Sequence, residues 1–428
     1  MLRIKCFLII SILILLGIIP VFATPPELMS EAAILIDASN GNVLFGQNIH
    51  QRMYPASTTK TMTAILAIEF GNLADMAVVN QTALDGMSPQ AARLGLLEDE
   101  EMSLLNLVQA IMLVSGNDAA NVIAEHIAGD IESFVELMNQ RAIELGAFNT
   151  NFANPTGLHD DNHYSTAYDM AIISRHAMSI PEFRSIVVNA HLFLDETNLH
   201  PEQRYIVNTN SMISRMVTPN YYFAPTIGIK TGRTSQAGIC LAAAAGRGRP
   251  FELITVTFNA PMDSPRNYSF IDTRALFEYG YSNFRRQTVT RFDQILDEVP
   301  LRYARGASHL TLVASEPLIV LLPLGVTANA LERRAILPDY LHAPVERGQI
   351  IGEMEFLFDG NVVGRVNLLA SRDVQRHLFW FVLLAFDFVW SFLIVRIIIY
   401  ILIAGIALYL ILLFLGIRNA VKKSKRRM

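Results

Sequence analysis

Apolar residues recur at helical spacing in the first part of the chain. Between residues 57 and 145 they stand three or four positions apart, first at Met62, Ile65 and Leu66 and again over residues 104–112. This spacing places them along one face of a helix. The pattern predicts a group of helices whose apolar stripes form an ordinary protein core.

Short β-prone runs flank this helical part on both sides. Residues 32–38 and 42–47 are joined through Ser39-Asn40-Gly41, and Asn-Gly favours a hairpin because both residues tolerate positive φ. Three further runs follow the helical part. They cover residues 226–231, 239–245 and 253–258. Strands from both ends that enclose a helical middle predict one α/β unit over residues 27–285.

The texture changes over residues 287–370, where short β-prone runs alternate with turns such as Asp359-Gly360. The predicted strands cover residues 309–314, 318–322, 350–358 and 362–368. Closely spaced short strands without helices are typical of a small all-β domain. We therefore predict a separate β-sandwich-like domain here.

The N-terminus has the pattern of an export signal. Arg3 and Lys5 precede the apolar run 6–20, and Val21-Phe22-Ala23 supplies small residues of the kind that signal peptidase reads. We predict that residues 1–23 are a cleaved signal peptide. An uncleaved membrane helix is the alternative, although the run is shorter than the roughly 20 residues that span a bilayer. Both interpretations predict export.

The C-terminus has the pattern of a membrane anchor. Residues 397–417 are apolar and long enough to cross a bilayer as a helix. The tail at residues 418–428 has basic residues and no acid, so the positive-inside rule predicts that it stays in the cytoplasm. The globular part then faces outward, and the lipid bilayer is a predicted partner.

Residues 377–395 are nearly as apolar, but they carry Asp387 in the middle and Trp380 and Trp390 on either side of it. Tryptophan prefers the membrane interface, and an acid inside the bilayer is costly. We predict an interfacial amphipathic helix. A second span is the alternative, but it would place the exported domain and the basic tail on the same side, against the charge rule.

Composition narrows the possible partners. The formal net charge is −5, and the basic residues that cluster lie at the two ends, so no nucleic acid partner is predicted. Cys6 leaves with the signal peptide, and Cys240 alone cannot form an internal disulfide. We interpret Cys240 as a small buried residue.

Ser57-Thr58-Thr59-Lys60 opens a predicted helix. Residues i and i+3 share one face there, so the Ser57 hydroxyl and the Lys60 amine can come within hydrogen-bonding distance. Serine needs a base to act as a nucleophile, and lysine is a base only when its pKa is lowered. The helix N-terminus disfavours a protonated Lys60 and offers the Ser57 N–H to an oxyanion. A helix cap followed by a solvated lysine is the alternative.

Two further motifs follow along the chain. Ser115-Gly116-Asn117 lies between predicted helices, where Ser115 could shuttle a proton and Asn117 could bind a substrate backbone; a plain turn is equally consistent with these residues. Lys230-Thr231-Gly232 ends a predicted strand. A lysine and hydroxyls at a strand edge can bind a carboxylate, and glycine lets a peptide approach closely. A β-turn with a surface lysine is the alternative.

The order Ser-x-x-Lys, Ser-x-Asn, Lys-Thr-Gly resembles the signature of penicillin-binding proteins and serine β-lactamases. The surroundings are similar to those of low-molecular-mass D-alanyl-D-alanine carboxypeptidases of peptidase family S11, and residues 321–369 resemble the small C-terminal β-domain of that family. The similar blocks near the motifs cover residues 54–63, 154–159, 164–170, 208–210 and 228–235.

The resemblance implies a β-lactamase/transpeptidase-like domain, with an antiparallel sheet and a helical cluster, before the β-domain and the transmembrane helix. It also implies a role for each motif residue: Ser57 as the acylated nucleophile, Lys60 as its base, Ser115 and Asn117 as the second catalytic element, Lys230 as the carboxylate site, Thr231 and Thr234 as further substrate contacts beside Gly232, and the N–H groups of Ser57 and Arg233 as the oxyanion hole. Family members often have His or Tyr where this chain has Arg233, so an altered substrate preference is expected.

The activity that the resemblance implies is removal of the terminal D-alanine from peptidoglycan stem pentapeptides, with β-lactams as inhibitors and without a metal or cofactor. His159-Asp160-Asp161 and His163 have side chains that can bind a metal, but a turn-rich loop is the simpler interpretation.

Two other functions remain open. A class A β-lactamase has a Glu-x-x-Leu-Asn block soon after the second motif; the nearest match, Glu196-Thr197-Asn198-Leu199-His200, lies far downstream and lacks the Asn. An inactive wall-binding or β-lactam-sensing module is the other alternative, although all three motifs are intact.

Overall fold

The computed structural model describes residues 24–87, 91–216, 218–262, 265–377, 382, 388 and 392–425. The chain forms two compact units. The first ends at Arg286 but also includes Leu321–Val326, and the second comprises Gln287–Val320 and the chain from Thr327 onward. The sequence pattern places residues 287–370 in one domain and gives no sign that Leu321–Val326 belongs to the first unit. The predicted signal peptide at residues 1–23 lies outside the described residues.

The first unit combines nine strands with eight α-helices in the described chain. Its strands are β1 Ala32–Asp37, β2 Val43–Gln47, β3 Met76–Val78, β4 Glu101–Ser103, β5 His191–Leu194, β6 Arg204–Val207, β7 Thr226–Thr234, β8 Gly238–Ala245 and β9 Leu253–Ala260. Its helices are α1 Lys60–Phe70, α2 Gln81–Leu84, α3 Leu104–Leu113, α4 Asn117–Ala128, α5 Ile131–Glu144, α6 Ala167–Ser179, α7 Pro181–Val187 and α8 Tyr268–Asn283. Two 3-10 turns cover Ala56–Thr59 and Pro219–Tyr221.

Five strands form one antiparallel sheet in the order β2-β1-β9-β8-β7. Alternate residues of its central strands enter two different cores. Ile34 packs with the helical cluster on one face, whereas Leu35 packs on the other face with Phe277 of α8. Because both faces are covered, β8 and most of β1 are apolar, and the alternating Thr255 and Thr257 of β9 are buried as well. The predicted α/β architecture and the β1–β2 hairpin are confirmed.

Helix α1 runs through the core of the helical layer. Its residues from Lys60 to Ala67 are all buried, so the helix is enclosed on every side instead of having one solvated face. This explains why a lysine at its first position lies inside the protein. Lys60, the lysine of the Ser-x-x-Lys motif, is therefore held in place by the packing of the core.

Two small sheets, β3–β4 and β5–β6, have no counterpart in the sequence-based prediction. Their strands have three or four residues each. Runs this short show too few alternations to be distinguished from loops. One predicted strand is also longer than expected, because β7 continues through Gly232 and Arg233 to Thr234.

The second unit contains a six-stranded sheet in the order β14-β16-β17-β12-β11-β15, antiparallel except for the β11–β15 pair. The remaining strands of the chain are β10 Phe284–Thr290, β11 Ile295–Arg302, β12 His309–Ala314, β13 Leu318–Pro323, β14 Glu332–Ile336, β15 Leu341–His342, β16 Ile350–Phe358 and β17 Asn361–Ala370. The predicted all-β texture of this part of the chain is confirmed.

The C-terminal helix α9 spans Leu393–Lys425. Its segment Arg396–Arg418 has a mean hydropathy of 3.0 and is long and apolar enough to cross a membrane. The predicted span at residues 397–417 lies within it. Residues 393–395, which were expected to belong to an interfacial helix, and the start of the basic tail continue the same helix. Most of residues 377–395 lie outside the described residues.

A buried ion pair joins the β5–β6 hairpin to the loop before β4. The Arg204 and Glu100 side chains are 10% and 0% exposed, with Nη2 and Oε1 2.6 Å apart. Glu100→Ala should lower the free energy of unfolding by about 3–5 kcal/mol, because it leaves a buried charge without its partner. Thermal denaturation of the purified protein measures this loss.

The matched control is the exposed pair of Arg274 and Glu278, whose side chains are 48% and 52% exposed. Glu278→Ala should cost no more than about 1 kcal/mol, as is usual for a surface pair. Equal losses for the two variants would contradict the structural role given to Glu100.

Candidate active site

Ser57 lies in the 3-10 turn Ala56–Thr59, directly before α1. Ala56 has a φ of +47°, a left-handed conformation that is uncommon for a residue with a side chain. Two glycines allow the turn to be packed this closely. A Cβ on Gly157 would overlap the Ala56 carbonyl oxygen, and a Cβ on Gly232 would lie 3.0 Å from the Ser57 nitrogen. Both neighbouring segments therefore hold the serine through backbone contact.

The Lys60 amine lies beside the Ser57 hydroxyl, with Nζ 3.1 Å from Oγ. It also donates to Asn117 Oδ1 at 2.6 Å and to the Thr156 carbonyl oxygen at 2.5 Å. These three neighbours are an alcohol, an amide and a peptide carbonyl. None carries a negative charge, so the amine is held in position by partners that do not require it to be protonated.

Burial is the largest influence on the charge of Lys60. It lowers the pKa of the amine well below its usual value of 10.5, and the nearby Lys230 lowers this pKa further, whereas Asp118 opposes the shift. Burial disfavours the charged form of an amine because the interior solvates it poorly. The direction of the shift is the one that a lysine general base requires.

The two acceptors of Lys60 are fixed by polar contacts in their own segments. Asn117 is the first residue of α4. The carboxylate of the following residue, Asp118, accepts hydrogen bonds from the backbone N–H groups of residues 94–96 and thereby fixes the start of the helix. Asn154 Oδ1 accepts from the N–H groups of Thr156 and Gly157, which closes a turn. This turn presents the Thr156 carbonyl to Lys60.

Lys230 lies within the edge strand β7, opposite Ala242 of β8, instead of at the end of a strand. It is 1% exposed, which excludes the alternative of a surface lysine in a β-turn. Burial lowers the pKa of its amine to about 7. Its Nζ donates to the Thr231 carbonyl oxygen at 3.0 Å.

A cleft of about 450 Å³ opens over this arrangement. Its lining includes five of the nine predicted site residues: Ser57, Ser115, Thr231, Gly232 and Arg233. Ser115 has a φ of +64° in the short link between α3 and α4. The first motif, the inter-helix link and the edge strand thus meet at one cleft.

The other four predicted residues are placed differently. Lys60, Asn117 and Lys230 are buried and are not among the lining residues. The Asn117 amide oxygen accepts from Lys60, and its amide nitrogen can still donate in the predicted substrate contact. The Thr234 hydroxyl accepts from the Ala237 N–H at 2.9 Å and thereby helps to form the turn into β8.

Several contacts at the site were not predicted. The Thr156 carbonyl binds Lys60, and the Thr209 hydroxyl lies 2.6 Å from that of Thr231. His163 accepts the Ala153 N–H at Nδ1, so Nε2 carries the proton and donates to Thr59. Burial lowers the pKa of His163 to about 4, which keeps the ring neutral. Both ring nitrogens of His163 thus make hydrogen bonds within the protein, which is a structural role.

The distribution of lysine is a signal that could have identified the two site lysines. Between residues 6 and 421, Lys60 and Lys230 are the only lysines, and all other basic side chains except histidine are arginine. Arginine cannot lose its proton in a protein, whereas a buried lysine can. Between residues 6 and 421, lysine is thus confined to the two positions where an amine of adjustable charge is useful.

Cys240 is buried, with its Sγ 3.6 Å from the carbonyl oxygen of Tyr54, which precedes the 3-10 turn Ala56–Thr59. Burial raises the pKa of its thiol to about 12. The thiolate is the nucleophilic form of cysteine, and it is scarce at such a pKa. The prediction of a small buried residue is confirmed.

Comparisons with known proteins identify the family and the fold. Residues 20–262 match the family model described as D-alanyl-D-alanine carboxypeptidase, and residues 284–376 match Penicillin-binding protein 5, C-terminal domain. The chain is 31% identical over 358 residues to D-alanyl-D-alanine carboxypeptidase DacF of Bacillus subtilis. This match covers 82% of this chain and 87% of DacF. It is likewise 31% identical over 360 residues to D-alanyl-D-alanine carboxypeptidase DacA of Haemophilus influenzae. This match covers 82% of this chain and 86% of DacA.

The solved structure of penicillin binding protein 5 from Haemophilus influenzae has a TM-score of 0.68 and 29% identity with this chain, covering 83% of it and 100% of the solved chain. The fold is therefore that of a penicillin-binding protein, with an α/β catalytic domain and a C-terminal β-domain. The motifs, the cleft and these matches together lead to one assignment. The chain belongs to the D-alanyl-D-alanine carboxypeptidase family, serine peptidase family S11.

Proposed function

We propose that this protein is a membrane-anchored enzyme that removes the terminal D-alanine from peptidoglycan stem pentapeptides through an acyl-enzyme on Ser57. The observation that carries the proposal is the Lys60 amine, buried and 3.1 Å from the Ser57 hydroxyl. A base with a lowered pKa beside a serine is what nucleophilic catalysis requires.

In the acylation step, neutral Lys60 accepts the Ser57 proton while Oγ attacks the carbonyl carbon between the two D-alanines. The N–H groups of Ser57 and Arg233 stabilise the oxyanion of the tetrahedral intermediate. When the intermediate collapses, the C–N bond breaks and the leaving amine takes a proton from Lys60 through the Ser115 hydroxyl. The products are free D-alanine and an ester on Ser57.

In the deacylation step, neutral Lys60 accepts a proton from a water molecule, which attacks the ester carbonyl. Collapse of the second intermediate returns the proton to Ser57 Oγ and releases the shortened peptide. A β-lactam acylates the same serine by opening of its ring. Its amine remains attached to the acyl group, which leaves a persistent adduct.

Lys230 has a different task in this proposal, namely to attract the terminal carboxylate of the substrate, with Thr231, Gly232 and Thr234 beside it. Because a charge on Lys230 lowers the pKa of Lys60, the two amines disfavour being charged together, and the proposed mechanism requires the single proton to be on Lys230. This arrangement provides a cation for the carboxylate and a neutral base for the serine. Arg233, which is exposed on the rim of the cleft, adds a second cation for an anionic substrate.

We also propose that α9 anchors the protein with the catalytic unit on the outer face of the cell membrane. The segment Arg396–Arg418 supplies the span, and the basic residues after it favour the cytoplasmic side. The substrate, a wall precursor or wall polymer, lies on the same outer side. A cleaved signal peptide at residues 1–23 and an interfacial segment at residues 377–395 remain part of this proposal.

Ser57→Ala should reduce D-alanine release from a pentapeptide by at least about 10³-fold, because no other group can form the ester. It should also abolish the mass increase that penicillin causes in the intact protein. Ser211→Ala, which removes another hydroxyl from the same cleft, is the matched control and should retain both activities. Continued turnover by Ser57→Ala would refute the acyl-enzyme.

A lasting penicillin adduct combined with turnover of the pentapeptide distinguishes the carboxypeptidase from its rivals. A β-lactamase would release the opened penicillin quickly and would turn over the pentapeptide poorly. A sensing module would keep the adduct and release no D-alanine. Intact-mass measurement and an assay for free D-alanine separate these three outcomes in one set of samples.

The rate should depend on pH through the two lysines. Lys60 acts when neutral, so kcat/KM should fall at acidic pH as it gains a proton. Lys230 acts when charged, and with its pKa of about 7, kcat/KM should also fall as the pH rises above that value. Lys230→Arg keeps the charge at all pH values, so the alkaline decrease should move to higher pH while the acidic one remains. An alkaline limb that does not move would contradict this role of Lys230.

A further inference from the structure

The outer face of the β5–β6 hairpin is aromatic where a polar surface is expected. In this antiparallel pair Phe193 lies opposite Tyr205, and His191 lies opposite Val207. Phe193 and Tyr205 are 59% and 48% exposed. A hairpin with one buried face normally alternates apolar residues inside with polar residues outside. Here the outer side carries aromatic rings, and the inner side is apolar except for Arg204.

The inner face alone accounts for the stability and register of the hairpin. Leu194 and Ile206 are buried, and Arg204 makes the buried ion pair with Glu100. A shift of one residue would expose all of these side chains, so they fix the register. Polar residues at positions 193 and 205 would therefore cost the fold little. The exposed rings call for an explanation outside the folding of the chain.

Three rings form a continuous surface, the aromatic face, which consists of His191, Phe193 and Tyr205. The centroids of Phe193 and Tyr205 are 5.0 Å apart, and those of His191 and Tyr205 are 5.6 Å apart. Aromatic rings present a negative π-face, which attracts the C–H groups on the apolar side of a pyranose ring. The Tyr205 hydroxyl and the His191 nitrogens add polar groups for the hydroxyls of a sugar.

The aromatic face is continuous with the catalytic cleft through the backbone. Strand β6 leads through Asn208 to Thr209, which lines the cleft and contacts the hydroxyl of Thr231. The N–H of Asn208 donates to the Ala190 carbonyl oxygen and closes the base of the hairpin. Tyr205 precedes Thr209 by four residues, so the two lie at most about 14 Å apart along an extended chain.

We propose that the aromatic face binds sugar rings of the glycan strand that carries the stem peptide. This inference rests on the proposed function, because that function defines the peptide whose fourth residue supplies the carbonyl at Ser57. Four residues then separate the carbonyl from the sugar, a reach of at most about 14 Å. Both figures are upper limits of the same size, so the sugar of a peptide held in the cleft is within reach of the aromatic face.

The test compares one peptide in two forms, free pentapeptide and pentapeptide attached to its disaccharide, with the full-length protein in detergent. The variant is the double substitution Phe193→Ala, Tyr205→Ala. We expect its kcat/KM on the disaccharide-linked substrate to fall by about tenfold, mainly through KM, since each ring contact contributes a few-fold. On the free pentapeptide its kcat/KM should change by less than about twofold. It should also lose co-sedimentation with peptide-free glycan strands.

Three controls separate a loss of sugar binding from a nonspecific surface effect, from damage to the cleft and from a loss of apolar surface. Phe148→Ala removes a 74% exposed phenylalanine elsewhere in the same unit and should change neither substrate. The rate of acylation by fluorescent penicillin reports an intact cleft in every variant. Phe193→Leu, Tyr205→Leu keeps an apolar surface without rings, and for a sugar partner it should behave like the alanine variant.

Several results would overturn the inference. An equal loss on both substrates would mean that the hairpin supports the cleft itself. Unchanged kinetics on both substrates, or full activity of the leucine variant, would exclude ring stacking on sugars. Loss of self-association or of binding to lipid vesicles, with normal glycan binding, would assign the aromatic face to a second copy of the chain or to the membrane. If the unaltered protein fails to cleave even the free pentapeptide, the proposed function itself is wrong.

Discussion

The structure of the catalytic unit depends on the burial of one amine, that of Lys60. An ammonium group inside a protein is costly unless an anion accompanies it, and the usual outcome is loss of the proton. The hydrogen-bond partners of Lys60 are Ser57, Asn117 and the Thr156 carbonyl, none of them anionic, and the nearby Asp118 opposes the shift without reversing it. The same burial that packs α1 into the core therefore produces the neutral amine that the proposed mechanism uses as a base.

The second buried lysine, Lys230, influences the charge of the first, Lys60. Lys230 is buried on the edge strand, and its charge is one of the causes that lower the pKa of Lys60. In the proposed mechanism the charge of Lys230 attracts the substrate carboxylate and, before the substrate binds, also favours a neutral Lys60. The aromatic face of β5–β6 would extend recognition beyond the peptide to the polymer that carries it.

The sequence predicted the parts of the site whose signal is local. The link at Ser115 and the helix after Ser57 follow from spacing and turn chemistry over a few residues, although the predicted helix start at Ser57 is a 3-10 turn and the α-helix begins at Lys60. The Thr156 carbonyl was not predictable in this way, because it is a backbone atom that meets Lys60 across 96 positions of sequence. The motif at Lys230 was expected at the end of a strand, but pairing with β8 extends that strand to Thr234. Strands β5 and β6 are too short for periodicity to reveal them.

The most direct test of the central claim is the protonation state of Lys60, observed by ¹³C NMR of protein labelled at the lysine ε-carbons. Lys60 and Lys230 are the only lysines between residues 6 and 421, so two signals report the interior, and Lys230→Met assigns them. The account predicts a Lys60 amine that is neutral at pH 7 and whose pKa rises when Lys230 is replaced. A Lys60 signal that stays protonated up to a pKa near 10.5, the usual value for lysine, would contradict it.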